Sequence, residues 1–491
     1  MKIRRWAVAF VLASVFVLAG QGQVLADVTP ASMFGDHMVL QRQMPIPVWG
    51  AAAAGEAVTV RFAGQTQSTK ADRDGKWKVV LPALEASAEG REMTIEGANK
   101  IVLKDVLVGE VWICSGQSNM QYGWGSKAER LHAWGAVPEL QAAADDAKTR
   151  PIRHYLVPTL VSLTPQDNCK GKWSTDVSGS AVAFGFSYYL SKKLNVPVAV
   201  IVTCWGSSLI EGWMPLDMTE QLPHFKQMME DFEVKDKAKV VEQIAKGVSD
   251  RNVYLRTRPN ILYNAMLHPL IPYACRGWVW YQGEANAAQY QDYAKSLPLW
   301  VKRLRKAWGR DDLHFLAVML PGFGADNGRP DAKSWAWFRD VQMKVLDLPH
   351  TGVANAIDLG DAKNIHPADK DPICRRLALL ACRDVNGEKI VAQGPTYKSF
   401  AVKGNQMTIS FTCAQGLKTT DGKAPTGFWL AGKQGDWHEA KASIAGDTVV
   451  LEAEGVAKPV ACRYAFCGKP SVNLVNGENL PAYPFRTDDW E

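Results

Sequence analysis

The feature that most constrains the fold is the alternation of apolar runs with amphipathic stretches between residues 106 and 386. Strand-like runs rich in β-branched and aromatic residues are predicted at Val106–Cys114, Val196–Cys204, Gly277–Tyr281, Phe315–Leu320 and Gly352–Leu359. Segments with helical periodicity lie between or after them, at Phe184–Leu194, Gln289–Trp308, Trp335–Leu346 and Pro367–Arg383. This alternation is typical of a parallel sheet with helices on both faces. We therefore predict a three-layer α/β domain over residues 106–386.

The sequence on both sides of this domain is typical of antiparallel β-structure. Residues 27–105 contain short alternating strands separated by glycine-rich turns, and residues 387–491 return to that pattern. A chain of 491 residues is also too long to form a single core. We predict an N-terminal β-rich domain resembling a small sandwich and a C-terminal β-rich region.

The first 26 residues have the pattern of a secretory signal. Lys2, Arg4 and Arg5 precede an apolar run over residues 6–19, and small residues end the segment at Ala26. We predict a signal peptide, residues 1–26, with cleavage after Ala26, and a secreted or periplasmic protein. The run is too short to span a bilayer, and no longer one follows, so we expect no membrane anchor in the mature chain.

Charge and cysteine spacing limit the classes of partner and cofactor. The formal net charge of +6 includes the three basic residues of the leader, and the remaining chain has no dense cluster of Lys and Arg. We therefore expect no nucleic acid partner. Nine cysteines allow disulfides in an exported chain, with Cys374/Cys382 and Cys462/Cys467 as local candidates. No Cys or His pair has zinc-ligand spacing, and we expect no metal.

A serine follows the first strand of the α/β domain. The strand Val106–Cys114 runs into Ser115-Gly116-Gln117, and Ser118 comes next. A serine on a turn after a core strand is how α/β folds expose a nucleophile, although a helix N-cap is the plain structural alternative. Gly206, Glu284 and His366 also follow predicted strands. Because active sites gather at the carboxyl ends of parallel strands, we expect these residues near Ser118.

Three motifs resemble those of the sialate O-acetylesterase family within the SGNH hydrolases. They are Gly-Gln-Ser118-Asn-Met, Trp-Tyr-Gln282-Gly-Glu284-Ala-Asn286 and Ile-His366-Pro. The segments around residues 262–271 and 38–42 are similar to that family as well. The resemblance extends over most of the chain after the leader. It implies an SGNH-type fold with flanking β-rich segments and hydrolysis of O-acetyl esters on a carbohydrate, with no cofactor.

The resemblance assigns the nucleophile and the base. Ser118 would attack the acetyl carbonyl and form an acyl-enzyme. His366 matches the general base of the family, and Pro367 is expected to start the next helix. An ordinary loop histidine is the plain alternative for His366. His268 is also followed by proline, but it lies in an apolar stretch, and we expect a buried structural role for it.

The acid that supports His366 is open between two carboxylates. SGNH enzymes often have an aspartate three residues before the histidine, but that position is Lys363 here. We favour Glu284, at the end of the third predicted strand, and keep Asp361 as the alternative. A backbone carbonyl in place of an acid is a further possibility.

Acyl transfer also needs hydrogen-bond donors for the oxyanion. The resemblance implies the backbone N–H groups of Ser118 and Gly206 and the side-chain amide of Gln282. Gln117 and Asn119, which flank Ser118, are assigned to the same oxyanion and substrate-binding group. The family often has Gly-Gly-Thr after the second strand, whereas this chain has Gly-Ser-Ser, so the turn at Ser207 departs from the pattern.

The expected partner is an acetylated carbohydrate. Acetylated sialic acid is the substrate that the resemblance implies, and an acetylxylan or other hemicellulose esterase is the closest alternative. A carboxylate-binding arginine would favour sialate, and Arg276 is a candidate, although it could equally be a surface charge. A hypothesis of another class is a carbohydrate-binding protein that has lost activity. The intact set of Ser118, His366 and Glu284 argues against that hypothesis.

Overall fold

The computed structural model of the protein describes residues 27–123, 138–176, 179–324, 328–330 and 335–490. The predicted signal peptide, with its cleavage after Ala26, lies outside them. The described chain forms one large mixed sheet with helices and several smaller antiparallel sheets, which confirms the predicted α/β class with flanking β-rich segments. None of the described helices is both long enough and apolar enough to cross a membrane.

Short strands build the N-terminal region, and their side chains alternate between buried and exposed. In the strand from Lys76 to Leu81, for example, Trp77, Val79 and Leu81 are buried. One antiparallel sheet has the order β1-β3-β6, while β4 pairs with β5 and β7. The strands are β1 (Thr29–Pro30), β2 (Val39–Gln41), β3 (Ile46–Ala51), β4 (Ala57–Phe62), β5 (Gln65–Lys70), β6 (Lys76–Leu81) and β7 (Ser87–Glu96).

One long strand connects this region to the α/β domain. Strand β8 (Lys100–Gly116) has 17 residues. Its first half pairs antiparallel with β7 and its middle pairs parallel with β2. Its second half lies at the centre of the parallel sheet. The predicted boundary between residues 105 and 106 therefore falls inside a continuous strand, at Asp105, which has a left-handed φ of 53°.

The central sheet has the order β10-β9-β11-β8-β12-β13-β14. All neighbours are parallel except β10, which pairs antiparallel with β9. All five predicted strands are confirmed, with shifted ends, whereas β9 and β10 were not predicted because polar residues interrupt their apolar pattern. The strands are β9 (Ile152–Leu156), β10 (Lys172–Ser174), β11 (Val198–Cys204), β12 (Gly277–Tyr281), β13 (His314–Val318) and β14 (Thr351–Ala354).

Helices cover both faces of this sheet. On one face, Phe186 of α3 packs edge-on against Trp112 of β8, and α3 also contacts α9. On the other face, Trp300 of α7 packs against Trp278 of β12. The described α-helices are α1 (Ser118–Gln121), α2 (Pro138–Ala147), α3 (Ala181–Leu194), α4 (Pro223–Asp231), α5 (Lys237–Ala245), α6 (Val253–Arg256), α7 (Tyr290–Trp308), α8 (Trp335–Met343) and α9 (Asp371–Asp384).

The start of α9 differs from the prediction. The helix begins at Asp371, and the proline in its first turn is Pro372 instead of Pro367. Residues 367–370 stay in the loop that follows His366, and the side chain of Lys370 points into the protein, where it is 1% exposed.

The C-terminal region forms two four-stranded antiparallel sheets, ordered β15-β16-β21-β20 and β19-β18-β22-β24, and a two-stranded one, β17-β23. It packs on the α/β domain, where Asn355 after β14 donates to the carbonyl oxygen of Pro481 over 2.9 Å. The strands are β15 (Thr396–Lys403), β16 (Gln406–Thr412), β17 (Lys418–Thr419), β18 (Phe428–Ala431), β19 (Trp437–Glu439), β20 (Lys441–Ala445), β21 (Thr448–Glu452), β22 (Ala461–Tyr464), β23 (Leu474–Val475) and β24 (Phe485–Arg486).

The cysteines are free thiols throughout. All nine lie in described residues, and of these only Cys413 is exposed. The suggested pair Cys374/Cys382 is ruled out by geometry, because two residues eight positions apart on one helix are separated by about 12 Å. The suggested pair Cys462/Cys467 is not bridged either.

Candidate active site

The turn after β8 presents Ser118 at the carboxyl edge of the sheet. Gly116, the last residue of β8, has φ 144°, and a Cβ there would lie 2.1 Å from the carbonyl oxygen of Tyr281. Glycine is therefore needed for this close approach between β8 and β12. The backbone then turns into α1, whose first residue is Ser118, and the serine side chain remains partly exposed.

His366 faces this serine. Its Nε2 lies 2.9 Å from Oγ of Ser118, although the two residues are 248 positions apart in the sequence. The histidine follows β14 in a loop, where its backbone N–H donates to the side chain of Asn364. The ring of Tyr122 packs edge-on against the imidazole, with centroids 4.8 Å apart. The sequence prediction that joined Ser118 with His366 thus corresponds to a hydrogen-bonded pair.

The other histidine considered, His268, has a different environment. Its Nδ1 lies 2.9 Å from the carbonyl oxygen of Gln166, and its side chain is partly exposed and not buried as expected. The apolar residues around it form the core, while the imidazole itself reaches a loop.

The two candidate acids occupy different surroundings. Asp361 lies on the exposed side of the His366 loop, where Oδ1 accepts the backbone N–H groups of Lys363 and Asn364. Those hydrogen bonds hold the pKa of Asp361 below its ordinary value. Glu284 lies inside the site and accepts a hydrogen bond from Nδ2 of Asn119. Burial raises the pKa of Glu284, with the Asn119 hydrogen bond acting in the opposite direction.

Glu284 connects with His366 through Asn119. The same Nδ2 that donates to Glu284 also donates to the carbonyl oxygen of Ile365, the residue before His366, over 3.2 Å. The second carboxylate oxygen of Glu284, Oε2, is buried and has no hydrogen-bond partner among the described residues. Asp358, a further carboxylate that follows β14, is bound by the guanidinium of Arg376 through both oxygens.

The two backbone N–H groups predicted to hold the oxyanion are those of Ser118 and Gly206. The N–H of Ser118 donates to no acceptor among the described residues. The N–H of Gly206 donates to Oε1 of Gln121 over 2.7 Å, and a Cβ on Gly206 would lie 3.4 Å from Cβ of Ser118. Ser207 stands where the family often has a second glycine. The turn is retained because Ser207 itself takes a left-handed φ of 60°. Both predicted backbone donors are therefore next to the serine.

The predicted side-chain donors are used inside the protein. Gln282 is fully buried, and its Nε2 donates to the carbonyl oxygen of Ser208 and to Oδ1 of Asn286. Gln117 accepts the backbone N–H of Ala285 through Oε1. Gln282 and Gln117 thus join neighbouring strand ends to each other, and neither amide donates to Ser118.

Two residues of the site were not predicted from the sequence. Gln121 supplies the acceptor for the Gly206 N–H, and Lys370 donates to Oδ1 of Asn119 over 2.5 Å. Gln121 follows the serine motif, which was the one available signal. No signal marked Lys370, because a lysine in a polar loop is ordinarily exposed.

Neither a metal-binding cluster nor Arg276 belongs to the site among the described residues. No group of three or more His, Cys, Asp or Glu side chains in the described residues could hold a metal ion. Arg276 lies just before β12, at the opposite end of that strand from Glu284, and pairs with the buried carboxylate of Glu110 at 3.0 Å. It therefore does not belong to the Ser118 site.

Comparisons with known proteins find similar acetylesterases. The structure matches that of a carbohydrate acetylesterase from Xanthomonas citri with a TM-score of 0.81 and 33% identity, covering 94% of this chain and 100% of that one. The sequence is 29% identical over 441 residues to sialate O-acetylesterase of Rattus norvegicus, covering 79% of each chain. It is 27% identical over 430 residues to that of Homo sapiens, covering 79% of this chain and 77% of the relative.

A serine paired with a histidine at the carboxyl edge of such a sheet, with these relatives, defines a carboxylic ester hydrolase of the carbohydrate acetylesterase class. A family model described as "Carbohydrate esterase, sialic acid-specific acetylesterase" matches residues 241–371. The chain belongs to the sialate O-acetylesterase family.

Proposed function

We propose that this protein removes O-acetyl groups from acetylated sialic acid by a serine mechanism, with Ser118 as nucleophile and His366 as general base. The observation that carries the mechanism is the 2.9 Å contact between Oγ of Ser118 and Nε2 of His366. A serine hydroxyl is a weak nucleophile near neutral pH, and a hydrogen-bonded imidazole is the usual group that removes its proton.

The proposed reaction has two halves. As Oγ of Ser118 bonds to the acetyl carbon, its proton moves to Nε2 of His366 and the carbonyl electron pair moves onto oxygen. The tetrahedral intermediate then expels the sugar oxygen, which takes the proton from His366 and leaves an acetyl-serine. Water attacks this ester in the same way, His366 again accepts and returns a proton, and acetate and free Ser118 result.

The oxyanion would be held by the backbone N–H groups of Ser118 and Gly206. The Gly206 N–H donates to Oε1 of Gln121, and this contact supports the proposal because an acceptor oxygen fits at that position. The substrate oxygen would replace this amide oxygen during the reaction. Two such donors are expected to lower the barrier substantially, since removal of one typically costs roughly 2.7–4 kcal/mol.

Glu284 is the acid that we assign to this machinery. It lies in the site, has a buried oxygen without a described partner, and shares Asn119 with the backbone next to His366. Asp361 is the alternative, but its carboxylate is exposed and used to cap the backbone of its own loop. A negative charge near His366 favours the imidazolium that forms during the reaction.

The substrate proposal rests on the family match. A second substrate class, acetylated hemicellulose, keeps the chemistry and changes the sugar. It is favoured by one observation: Arg276, the arginine considered for a sialate carboxylate, is paired with Glu110 away from the site. An inactive carbohydrate-binding protein is disfavoured because Ser118 and His366 are hydrogen-bonded to each other, as the proposed mechanism requires.

We also propose export, on the strength of the sequence pattern of residues 1–26. N-terminal sequencing of the protein recovered outside the cytoplasm tests it: mature chains should begin at Asp27, and chains that keep Met1 would contradict the proposal.

An acetate-release panel tests the function. Wild type is assayed on O-acetylated sialic acid, acetylated xylan and a chromogenic acetyl ester, with Ser118→Ala as the matched inactive variant. We expect release of acetate by wild type, fastest from the sialic acid, and loss of about three or more orders of magnitude in Ser118→Ala. Equal activity of the two proteins would refute the nucleophile, and faster release from xylan would replace the substrate.

The same assay decides between the acids. Glu284→Gln and Asp361→Asn both remove one carboxylate charge without changing the shape of the side chain. We expect kcat to fall about tenfold or more in Glu284→Gln and by less than about threefold in Asp361→Asn. The reverse order would move the role to Asp361.

A further inference from the structure

A buried lysine contacts the residue that follows Ser118. Lys370 follows His366 by four residues and is 1% exposed, so its ammonium group is withdrawn from water. Burying an ammonium group is costly unless it meets acceptors or charges. Lys370 takes no part in the proposed esterase steps. Its costly burial therefore needs another physical explanation.

Lys370 contacts two groups of the site. Its Nζ donates to Oδ1 of Asn119 over 2.5 Å, and it lies 5.5 Å from the centroid of the Tyr281 ring. Asn119 is fully buried and directly follows Ser118. Its Nδ2 donates to Oε1 of Glu284 and to the carbonyl oxygen of Ile365. The side-chain amide of Asn119 therefore joins the turn that carries Ser118 to the end of β12 and to the loop that carries His366.

Three neighbours determine which way this amide faces, and Lys370 is the one that faces its oxygen. An ammonium has three donors and no acceptor, so only the oxygen of Asn119 can face it. The NH₂ group must then face Glu284 and Ile365, which offer only acceptors there. A flipped amide would set donor against donor at Lys370 and oxygen against oxygen at the other two contacts. Lys370, Glu284 and the carbonyl group of Ile365 together hold the amide in the orientation that bridges the turn of Ser118 and the loop of His366, and Lys370 is the only one of the three that binds the amide oxygen.

We propose that Lys370 is a positioning residue of the esterase reaction, which orients Asn119 so that the residue after Ser118 stays tied to the residue before His366. This inference rests on the proposed serine mechanism. Lys370 does not touch the reacting atoms; it acts through Asn119. Small displacements of a nucleophile and its base cost rate, because the pair must stay within hydrogen-bond reach.

The charges around Lys370 agree with this role. Glu284 on the far side of Asn119 and Asp369, the residue before Lys370, are the carboxylates that favour its charged form. The thiol of Cys374 on α9 also lies near Lys370, but burial raises the pKa of Cys374 well above its ordinary value and keeps the thiol neutral. Burial acts against the two carboxylates and lowers the pKa of Lys370 to about 7. Lys370 is therefore an ammonium below about pH 7 and an amine above it, and both forms carry N–H donors that can face Oδ1 of Asn119.

A double-mutant cycle tests the proposal with a chromogenic acetyl ester. Lys370→Met keeps the length of the side chain and removes its donors, and Asn119→Ala removes the bridge. We expect Lys370→Met to lower kcat by about tenfold or more while KM changes less than about threefold. Because Lys370 acts through Asn119, the double variant should be no slower than Asn119→Ala alone.

Controls separate this inference from the proposed function and from general destabilisation. Lys363→Met changes an exposed lysine of the same loop and should keep kcat within about twofold of wild type. Thermal unfolding of each variant shows that it is folded in the assay, and Lys370→Leu replaces Lys370→Met in the cycle if the latter does not fold.

The outcomes are distinct. If Ser118→Ala is as active as wild type, the serine mechanism fails, and this inference with it. If Ser118→Ala is inactive and Lys370→Met keeps the wild-type kcat, only the positioning role is overturned. Full additivity of the two substitutions in the double variant would also overturn it, because Lys370 would then act independently of Asn119.

Discussion

At the scale of single residues, the Ser118 site depends on polar side chains that are held out of water. Asn119 and Gln282 are fully buried, and each joins two or more strand ends through its amide. Each amide uses its NH₂ group inside the protein, whereas Oε1 of Gln282 meets no partner among the described residues. Burying Lys370 costs more free energy than burying these amides, because its protonated form brings a charge into the same region.

The pKa of Lys370 predicts how stability changes with pH. Burial lowers it to about 7, whereas an unfolded lysine has a pKa of about 10.4. Between these values the unfolded chain binds a proton that the folded chain has lost, so the free energy of unfolding gains a contribution that rises with pH. Below about pH 7 both states are protonated and the contribution is flat. We expect wild type to gain up to about 1.4 kcal/mol per pH unit relative to Lys370→Met above pH 7.

Urea unfolding of both proteins at several pH values between 6 and 9.5 measures this difference. Lys398→Met, at an exposed position on β15, is the control, and its difference from wild type should stay constant over the range. A constant difference for Lys370→Met as well would contradict the lowered pKa.

The sequence predicts a residue of the site when a strand or a motif locates it, and does not when its role depends on side-chain packing. Ser118 and His366 were predictable because each follows a recognisable strand and belongs to a motif. Lys370 and Gln121 were not, since their roles depend on side-chain direction, which periodicity does not specify. The amide of Gln282 is on the correct strand end, but its donors are used by Ser208 and Asn286, a detail that only packing decides.

At the scale of secondary-structure elements, β8 determines the position of the nucleophile. It pairs with β11 on one side and β12 on the other, and their ends Cys204, Gly116 and Tyr281 lie in register. The apolar second half of β8 was predictable from β-branched residues alone. Its first half was not joined to it, because alternating polar residues there favour a separate β-domain.

Gly116 is the point at which this element is most sensitive to substitution. In Gly116→Ala the new Cβ would overlap the carbonyl oxygen of Tyr281 at 2.1 Å, and the overlapping atom is backbone, which cannot rotate away. We expect a loss of more than about 2 kcal/mol in the free energy of unfolding, with a large loss of kcat because Ser118 is displaced.

Gly247→Ala is the matched control for Gly116→Ala. Gly247 also has a positive φ, 98°, but a Cβ there meets nothing within 4 Å, so only the backbone penalty of roughly 1 kcal/mol applies. Chemical denaturation and the ester assay on both variants give the comparison. Similar losses for the two would show that the contact with Tyr281 is unimportant.

At the scale of the whole molecule, the C-terminal β-rich region supports the loops of the site. Gly322 after β13 forms a backbone bridge with Gly360, which precedes the His366 loop. The neighbouring Phe323 donates its N–H to the carbonyl oxygen of Gly468 in the C-terminal region. A family resemblance could predict the presence of this region. Its contact with the catalytic loops depends on tertiary packing that no local pattern records.

Arg339 on α8 is the residue through which this support can be tested. It is fully buried, and its guanidinium donates to the carbonyl oxygens of Pro321, Cys467 and Gly468, which join the loop after β13 to the C-terminal region. Arg339→Met leaves these acceptors without that donor, and each buried unsatisfied group costs about 1–3 kcal/mol. We expect the free energy of unfolding to fall by roughly 2–4 kcal/mol and kcat to fall with it, as the bridge to Gly360 loosens. Arg91→Met, at a partly exposed arginine on β7 that pairs with the exposed Glu89, should change stability by less than about 0.5 kcal/mol. Chemical denaturation and the ester assay distinguish the cases: a stability loss with unchanged kcat would mean that the C-terminal region holds the fold together without supporting the His366 loop.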